Sequence, residues 1–190
     1  MRQTTSNKAR WQSLTWLSLL IAASAALTTW FACITPFVAF GVMAATTLSR
    51  RNALGLTVAV WLANQAVGFG LLHYPSTGTS VAWGVAIGGA AVIGTLTAQW
   101  AIGRLGSSRS AVQAIAAFVS AFALYELALY VVALSILGGT RAFAAPIVGQ
   151  VLVVNTAAFI GLYGLNQAVT VGIAYLGRRP SAHVSPARFA

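Results

Sequence analysis

The chain's only cysteine, Cys33, lies beside a predicted break in the backbone. It stands in the stretch FACITPF, residues 31–37, shortly before Thr35 and Pro36. Proline interrupts helices, and a thiolate is a soft ligand that suits late transition metals. A single thiol excludes an intramolecular disulfide. Two interpretations therefore stay open: a thiol that lines an outward-facing pocket, or a small apolar side chain beside a kink.

Two adjacent carboxamides, Asn64 and Gln65, stand in the apolar run WLANQAVGFG, and the polar tripeptide HYP follows at 73–75. Burying an amide without a partner is costly, so this pair either joins helices through hydrogen bonds or lines a polar ligand site. His73 is a candidate ligand or gate, and a surface histidine without a task is the alternative. The residues that we predict to contact a substrate around this region are Cys33, Thr35, Phe37, Asn64, Gln65, His73, Tyr74 and Trp83.

The only acidic residue, Glu126, lies in the apolar run LYELALY. A charged carboxylate at the centre of a bilayer costs ~3 kcal/mol or more, so Glu126 must be neutral, paired or hydrated, and it is a candidate functional group. Asn155, in the last apolar stretch, is a candidate to join it from across the bundle. We predict both as further substrate-contacting residues. Proton-coupled carriers usually use several titratable groups within their spans, which disfavours that mechanism here.

Several classes of protein are excluded by what the sequence lacks. It has no HExxH, no paired aspartates and no glycine-rich GKS or GKT phosphate loop, so any ATP dependence must come from another chain. Its two histidines, His73 and His183, fall in predicted loop and tail, which disfavours a catalytic Cys–His or Ser–His pair. The net charge of +10 comes from short scattered clusters rather than a patch. We therefore predict no nucleic-acid partner.

These residues must be positioned by membrane-spanning helices. Of the 190 residues, 58% are hydrophobic and 6% charged, against roughly 25% charged in soluble domains. A span needs about 20 apolar residues. We predict an all-α integral membrane protein with a cytoplasmic N-terminal segment at 1–10, a transmembrane domain at 11–176 and a cytoplasmic tail at 177–190. The six predicted transmembrane helices are 11–32, 36–49, 53–72, 81–102, 111–137 and 147–176.

The basic residues predict the orientation. If the N-terminus is cytoplasmic, ten of the eleven Lys and Arg residues fall on the cytoplasmic side and only Arg141 on the other. This asymmetry follows the positive-inside rule and places both termini in the cytoplasm. Bulky Trp30 and Phe31 disfavour cleavage before Cys33, so we expect the first stretch to remain a span.

The second stretch is too short to cross alone. From Pro36 to Ser49 it covers only ~21 Å as a helix, against ~30 Å of hydrocarbon. The break at its start must therefore lie below the outer surface, where non-helical backbone is tolerated only against protein or a cavity. Gly84 and Gly88 have GxxxG spacing, for which we predict packing inside the bundle, with docking of another membrane protein as the alternative.

Two motifs resemble one family. The segment CITPF, and the run RRNALGLTVAVWLANQAVGFGLLHYP that follows it, are similar to the BtuM-type cobalamin transporter family, solitary relatives of the S components of energy-coupling factor (ECF) transporters; the similarity extends from Cys33 to about Trp83. The resemblance implies an S-component-like six-helix bundle in the bacterial inner membrane and an outward-facing cavity. It implies cobalamin as the substrate, with Cys33 as the ligand of its cobalt and no other cofactor.

The function expected from these arguments is uptake of cobalamin or a related corrinoid. Three alternatives stay open: an ECF S component for another vitamin, a corrinoid-modifying protein in which Cys33 removes the upper ligand of cobalt, and a membrane scaffold without transport activity. The expected partners are the vitamin and the lipid bilayer. An ECF-type ATPase module is a further partner that the sequence does not require.

Overall fold

The computed structural model describes residues 35–105 and 110–177, which are 90% helical and contain no strand. Two helices end in π-helical turns, Ala66–Leu71 after Arg50–Gln65 and Ala133–Leu137 after Ser110–Val132, and a 3-10 turn at Thr140–Phe143 precedes the last helix. The α-helices of the described part are α1 (Phe37–Thr47), α2 (Arg50–Gln65), α3 (Gly78–Leu105), α4 (Ser110–Val132) and α5 (Ala145–Gly177).

Within the described ranges, four helices are long and apolar enough to cross a membrane. They are Arg50–Leu71, Gly78–Leu105, Ala111–Leu137 and Ala145–Val171. The all-α, multi-pass prediction is confirmed, and the last four predicted stretches each coincide with one of these helices. The stretch 11–32 and most of both predicted cytoplasmic ends lie outside the described residues, so six spans and cytoplasmic termini stay predictions.

The short helix α1 is the centre of the bundle. Every residue from Phe37 to Ala44 is buried, and α2, α3, α4 and α5 all pack against it. A helix that is hydrophobic on all sides is stable only when it is enclosed on all sides. Its eleven residues span only ~16 Å. The helix begins inside the bundle, whereas its last turn reaches the opposite surface, where Thr46 is exposed.

The buried face of α3 consists of small residues at helical spacing, which lets its neighbours approach closely. A methyl group added to Gly88 would lie 2.6 Å from the indole of Trp61, and one on Gly94 would lie 3.5 Å from the carbonyl oxygen of Ala121. The prediction that the GxxxG residues pack inside the bundle is therefore confirmed. The small residues that form this buried face are Gly84, Gly88, Ala90, Ala91, Gly94, Thr95, Ala98 and Ala101.

Two buried hydroxyls join α2 to α3 where α1 crosses them. Thr57 Oγ1 and Thr95 Oγ1 are 2.8 Å apart and share one hydrogen bond, in which either hydroxyl can be the donor. The hydroxyl that accepts in this bond donates its own proton to a carbonyl of its own helix, Ala53 O for Thr57 or Ala91 O for Thr95. Gly41 of α1 faces this pair: a Cβ there would lie 2.5 Å from Thr95 Oγ1. Packing and hydrogen bonds, rather than hydrophobic transfer, hold helices together in lipid. This three-helix contact therefore contributes to the stability of the core.

We expect Gly41→Ala to lower the melting temperature of the detergent-purified protein because its methyl group overlaps a buried hydroxyl. Overpacking of this kind costs ~1–3 kcal/mol. Thr95→Ala alone removes the overlapped hydroxyl and one hydrogen bond. The double variant Gly41→Ala/Thr95→Ala should be more stable than the sum of the two single effects predicts. Strict additivity in thermal unfolding would contradict the contact.

Candidate functional site

The break that precedes α1 is held by a side chain from α5. Pro36 lies at the N-cap of α1 and provides no side-chain cap, so the first amides of the helix need another acceptor. Asn155 supplies it: its Oδ1 accepts from the backbone N–H groups of Val38 (3.1 Å) and Ala39 (3.2 Å). Its Nδ2 donates to the Val151 carbonyl at 3.0 Å. Asn155 is 1% exposed, and its amide is engaged by backbone on both sides.

A chain of polar side chains runs from this break to α2. Asn64 Nδ2 donates to Thr35 Oγ1, and Gln65 Nε2 donates to Asn64 Oδ1 at 3.2 Å. The core-facing residues of α2 recur at helical spacing as Ala53, Leu56, Thr57 and Val60. Asn64 continues that stripe by one further turn, so the helix directs it towards the break.

The two amides form the polar end of a cavity of about 240 Å³ between α2 and α3. None of the described residues that line it is charged, so they offer amide and hydroxyl hydrogen bonds and aromatic faces rather than an ionic contact. Asn64 lies ~11 Å along the helix axis from Leu71, which places the amides well below the α2–α3 loop. The lining residues are Asn64, Gln65, Gly68, Phe69, Tyr74, Pro75, Ser80, Trp83, Gly84 and Ile87.

The cavity opens at the end of the bundle where α2 and α4 finish, which we call the cavity end. Gly138 and Gly139 have φ of 70° and 83°, left-handed values that favour glycine, and they terminate the π-helical turn of α4. A Cβ on Gly139 would lie 3.7 Å from the Trp83 ring. The α2–α3 and α4–α5 loops therefore lie at the same end, as the predicted topology requires.

Local contacts hold the wall formed by Tyr74. Its backbone N–H donates to the Gly68 carbonyl at 3.0 Å, and its ring packs over Gly68, where a Cβ would lie 2.9 Å from two ring carbons. Phe69 meets the same ring edge-on, with 6.3 Å between centroids. On α3, Thr77 Oγ1 accepts from the backbone N–H of Ser80 at 3.2 Å and so starts that helix as an N-cap.

His73 has a positive φ of 54° and is exposed in the α2–α3 loop. It directly follows Leu72, whose N–H closes the π-helical turn on Val67. Glycine is the usual residue at a left-handed helix terminus. Non-glycine residues in this conformation occur where the surrounding structure requires them, often at functional sites.

Substitutions at His73 separate a conformational role from a binding role. We expect His73→Val to destabilise the protein by about 1–2 kcal/mol, because a β-branched residue disfavours positive φ. His73→Gly should leave the melting temperature unchanged or slightly higher. If His73 contacts the substrate, His73→Gly will lower affinity in a titration with hydroxocobalamin despite this stability. Unchanged affinity would contradict the predicted contact.

Glu126 lies on α4 next to the buried Tyr125 and is itself half-buried. Within the described residues it makes no hydrogen bond or ion pair. It does not line the cavity between α2 and α3. Tyr130, one turn further along α4, packs edge-on against Phe143 with 5.3 Å between ring centroids. The position fits a neutral carboxyl group on the flank of the bundle.

We expect Glu126→Gln to be mild, because glutamine preserves the size and hydrogen-bonding capacity of a neutral carboxyl group. Uptake of labelled cobalamin into proteoliposomes should remain within about twofold of the wild type. The matched measurement is equilibrium binding to the same purified variant. Loss of uptake with intact binding would show that the carboxyl group takes part in proton coupling.

The structure brings only some of the predicted contact residues together. Asn64, Gln65, Tyr74 and Trp83 line the cavity, and Thr35 is hydrogen-bonded to its polar end.

The other described candidates do not line the cavity. Phe37 is buried in the core, and His73 is in the exposed loop. Glu126 is on the flank of α4, and Asn155 caps α1. Cys33 lies outside the described residues, and its role as cobalt ligand stays a prediction.

Sequence reasoning missed several lining residues. Gly68 and Phe69 follow Asn64 and Gln65 by four positions, so extending the polar face of α2 by one turn would have found them. Ser80 and Gly84 gave no comparable signal, since their place in the wall depends on how α3 packs against α2.

Comparison of the chain with protein-family models, with curated proteins and with solved structures gave no match.

Proposed function

We propose that this protein captures cobalamin or a related corrinoid in the bacterial inner membrane and moves it inward. In this proposal both termini are cytoplasmic, the bundle resembles an ECF S component, and the cavity end faces outward. The sulfur of Cys33 replaces the lower axial base of the cobalt. An ECF-type ATPase module is an additional partner that the sequence does not require. Reconstitution with and without this module tests whether transport depends on it.

One observation supports this proposal above the others. The backbone break two residues after Cys33 is joined through Thr35 to Asn64, and Asn64 lines the cavity. A soft ligand beside the break is therefore close in sequence to an uncharged pocket. Amide groups there can pair with the amide-bearing rim of a corrinoid.

The volume of the cavity limits how the ligand can bind. At about 240 Å³ it is smaller than the ~300–1,000 Å³ typical of ligand sites. A corrinoid would insert only part of its structure between α2 and α3, and the remainder would lie over the mouth near Tyr74 and Trp83. The same volume favours the second candidate function, an ECF S component for a smaller vitamin.

The two candidates are separated by incubating the purified full chain with hydroxocobalamin and removing free ligand by gel filtration. Retention of about one corrinoid per chain, seen as visible absorption that elutes with the protein, supports the proposal. A colourless protein whose melting temperature rises with a smaller vitamin such as thiamine or biotin would support the second candidate. Thr97→Val is a matched control, because that hydroxyl bonds only to Ile93 of its own helix.

A further inference from the structure

The tetrapeptide NQAV occurs twice in the chain, at residues 64–67, across the end of α2 and the start of its π-helical turn, and at 166–169 in α5. Both copies lie in the C-terminal half of their helix. The two helices run in opposite directions, because α2 ends at the cavity end whereas α5 begins there. The same pair of carboxamides is therefore presented towards both ends of the bundle.

The second copy also lines a cavity. Asn166 and Gln167 line a space of about 150 Å³ together with Thr46, Gln113 and Tyr163. Gln167 Nε2 donates to Tyr163 Oη at 3.1 Å. Like the first cavity, this one combines an adjacent Asn–Gln pair with a tyrosine, and none of its lining residues within 35–105 and 110–177 is charged.

The two cavities lie at opposite ends of the bundle. Trp83 lines the first and Ile102 lines the second, which are ~28 Å apart along α3. One helical turn before Ile102, Oε1 of Gln99 is buried with no hydrogen-bond partner among the described residues.

Helix α1 lies between the two cavities. Thr35, just before its first turn, is hydrogen-bonded to Asn64 of the first cavity, and Thr46, in its last turn, lines the second. The residues from Phe37 to Ala44 between them are buried, and Gly41 packs against the Thr57–Thr95 pair. The body of α1 therefore closes the path between the cavities in this conformation.

We infer that the cavity around Asn166 and Gln167 is a second binding site, for the same class of uncharged, amide- or hydroxyl-bearing ligand. The two cavities are the ends of one translocation path that α1 closes. Related elements of opposite orientation with polar sites between them are a recurrent basis of alternating access. This inference rests on the proposed function for the identity of its ligand. The arrangement of its two cavities can be tested without that ligand.

The first test uses accessibility to a membrane-impermeant maleimide in a Cys33→Ala background. Tyr74→Cys and Asn166→Cys should be labelled from opposite faces of the membrane, in right-side-out and inverted vesicles respectively. Val153→Cys is the matched control, because it is 67% exposed on α5 and should face lipid and resist labelling from either face. Failure of Asn166→Cys to react, or labelling of both sites from one face, would overturn the inference.

The second test keeps Cys33 and replaces both residues of the second pair, as Asn166→Leu/Gln167→Leu. Uptake of hydroxocobalamin into proteoliposomes containing a cobalamin-binding trap should fall about tenfold or more, and titration in detergent should show the loss of the binding event assigned to this cavity while the spectral change at Cys33 is retained. Thr170→Val, which removes a hydroxyl bonded only to Asn166 O of its own helix, should leave both unchanged. Normal uptake by the double variant would overturn the inference.

The outcomes distinguish the two proposals. If the wild type binds no corrinoid, the proposed function is wrong and the maleimide experiment alone decides whether the second cavity exists. If the wild type binds and transports cobalamin but the double variant does so equally well, the function stands and the second site does not. If the leucine variant fails to fold, maleimide labelling of Tyr74→Cys and Asn166→Cys still tests whether the two cavities open to opposite faces of the membrane.

Discussion

Replacing Cys33 with serine should change the visible spectrum of bound cobalamin and reduce its retention on the order of 100-fold. Serine keeps the size of the side chain but replaces a soft sulfur with a hard oxygen, which is a poor ligand for a late transition metal. The measurement is the absorption spectrum of the purified wild type and Cys33→Ser after incubation with hydroxocobalamin and gel filtration.

Two further variants make the result specific to coordination. Cys33→Ala removes the ligand atom, so it should behave like Cys33→Ser. Asn64→Leu keeps Cys33 but removes an amide from the cavity. It should therefore weaken the retention of cobalamin, while the cobalamin that stays bound keeps the spectrum of the wild-type complex. Identical spectra and equal retention for wild type, Cys33→Ser and Cys33→Ala would show that Cys33 is only a small residue beside a kink.

Replacing Asn155 with alanine should destabilise the bundle more than any other single amide substitution proposed above. The change leaves the N–H groups of Val38 and Ala39 without their acceptor in a site from which water is excluded. A buried donor that loses its partner costs about 1–3 kcal/mol, so the two together lower the free energy of unfolding by about 2–6 kcal/mol. Thermal unfolding in detergent is the measurement.

Asn166→Ala is the matched control for this prediction. It removes the same amide from the same helix at a half-buried position that caps no helix, and its melting temperature should change little. Asn155→Asp provides a second comparison, because it keeps an acceptor at the N-terminus of α1, where negative charge is favourable. It should therefore retain more stability than Asn155→Ala. Equal melting of Asn155→Ala and wild type would show that water or another group replaces the cap.

The capping role of Asn155 also bears on substrate binding. Sequence reasoning placed it beside Glu126 as a contact residue, whereas its oxygen bonds α1 and its nitrogen bonds Val151. If Asn155→Asp folds and still binds hydroxocobalamin with normal affinity, Asn155 acts by fixing the start of α1. Weakened binding by a folded Asn155→Asp would support direct contact.

The sequence by itself determined the features that depend on composition and local pattern. Long apolar runs specify spanning helices, because an unpaired backbone group in lipid is too costly for any other local structure. The break at Pro36 follows from proline's missing N–H. The shortness of the helix after it follows from the length of the apolar run alone. The spacing of Gly84 and Gly88 predicted close packing for the same kind of local reason.

Tertiary structure alone decided which polar residues meet. Asn155 and Val38 are far apart in sequence, and no periodicity in either helix indicates that one would cap the other. Asn64 was singled out as a buried amide, but its partner Thr35 and the residues sharing its cavity depend on how α1 and α3 pack against α2. Helical period fixes the face on which a side chain lies, whereas its neighbour depends on the rotation and depth of the opposing helix. In lipid those are set by the summed fit of small residues and hydrogen bonds over the whole bundle.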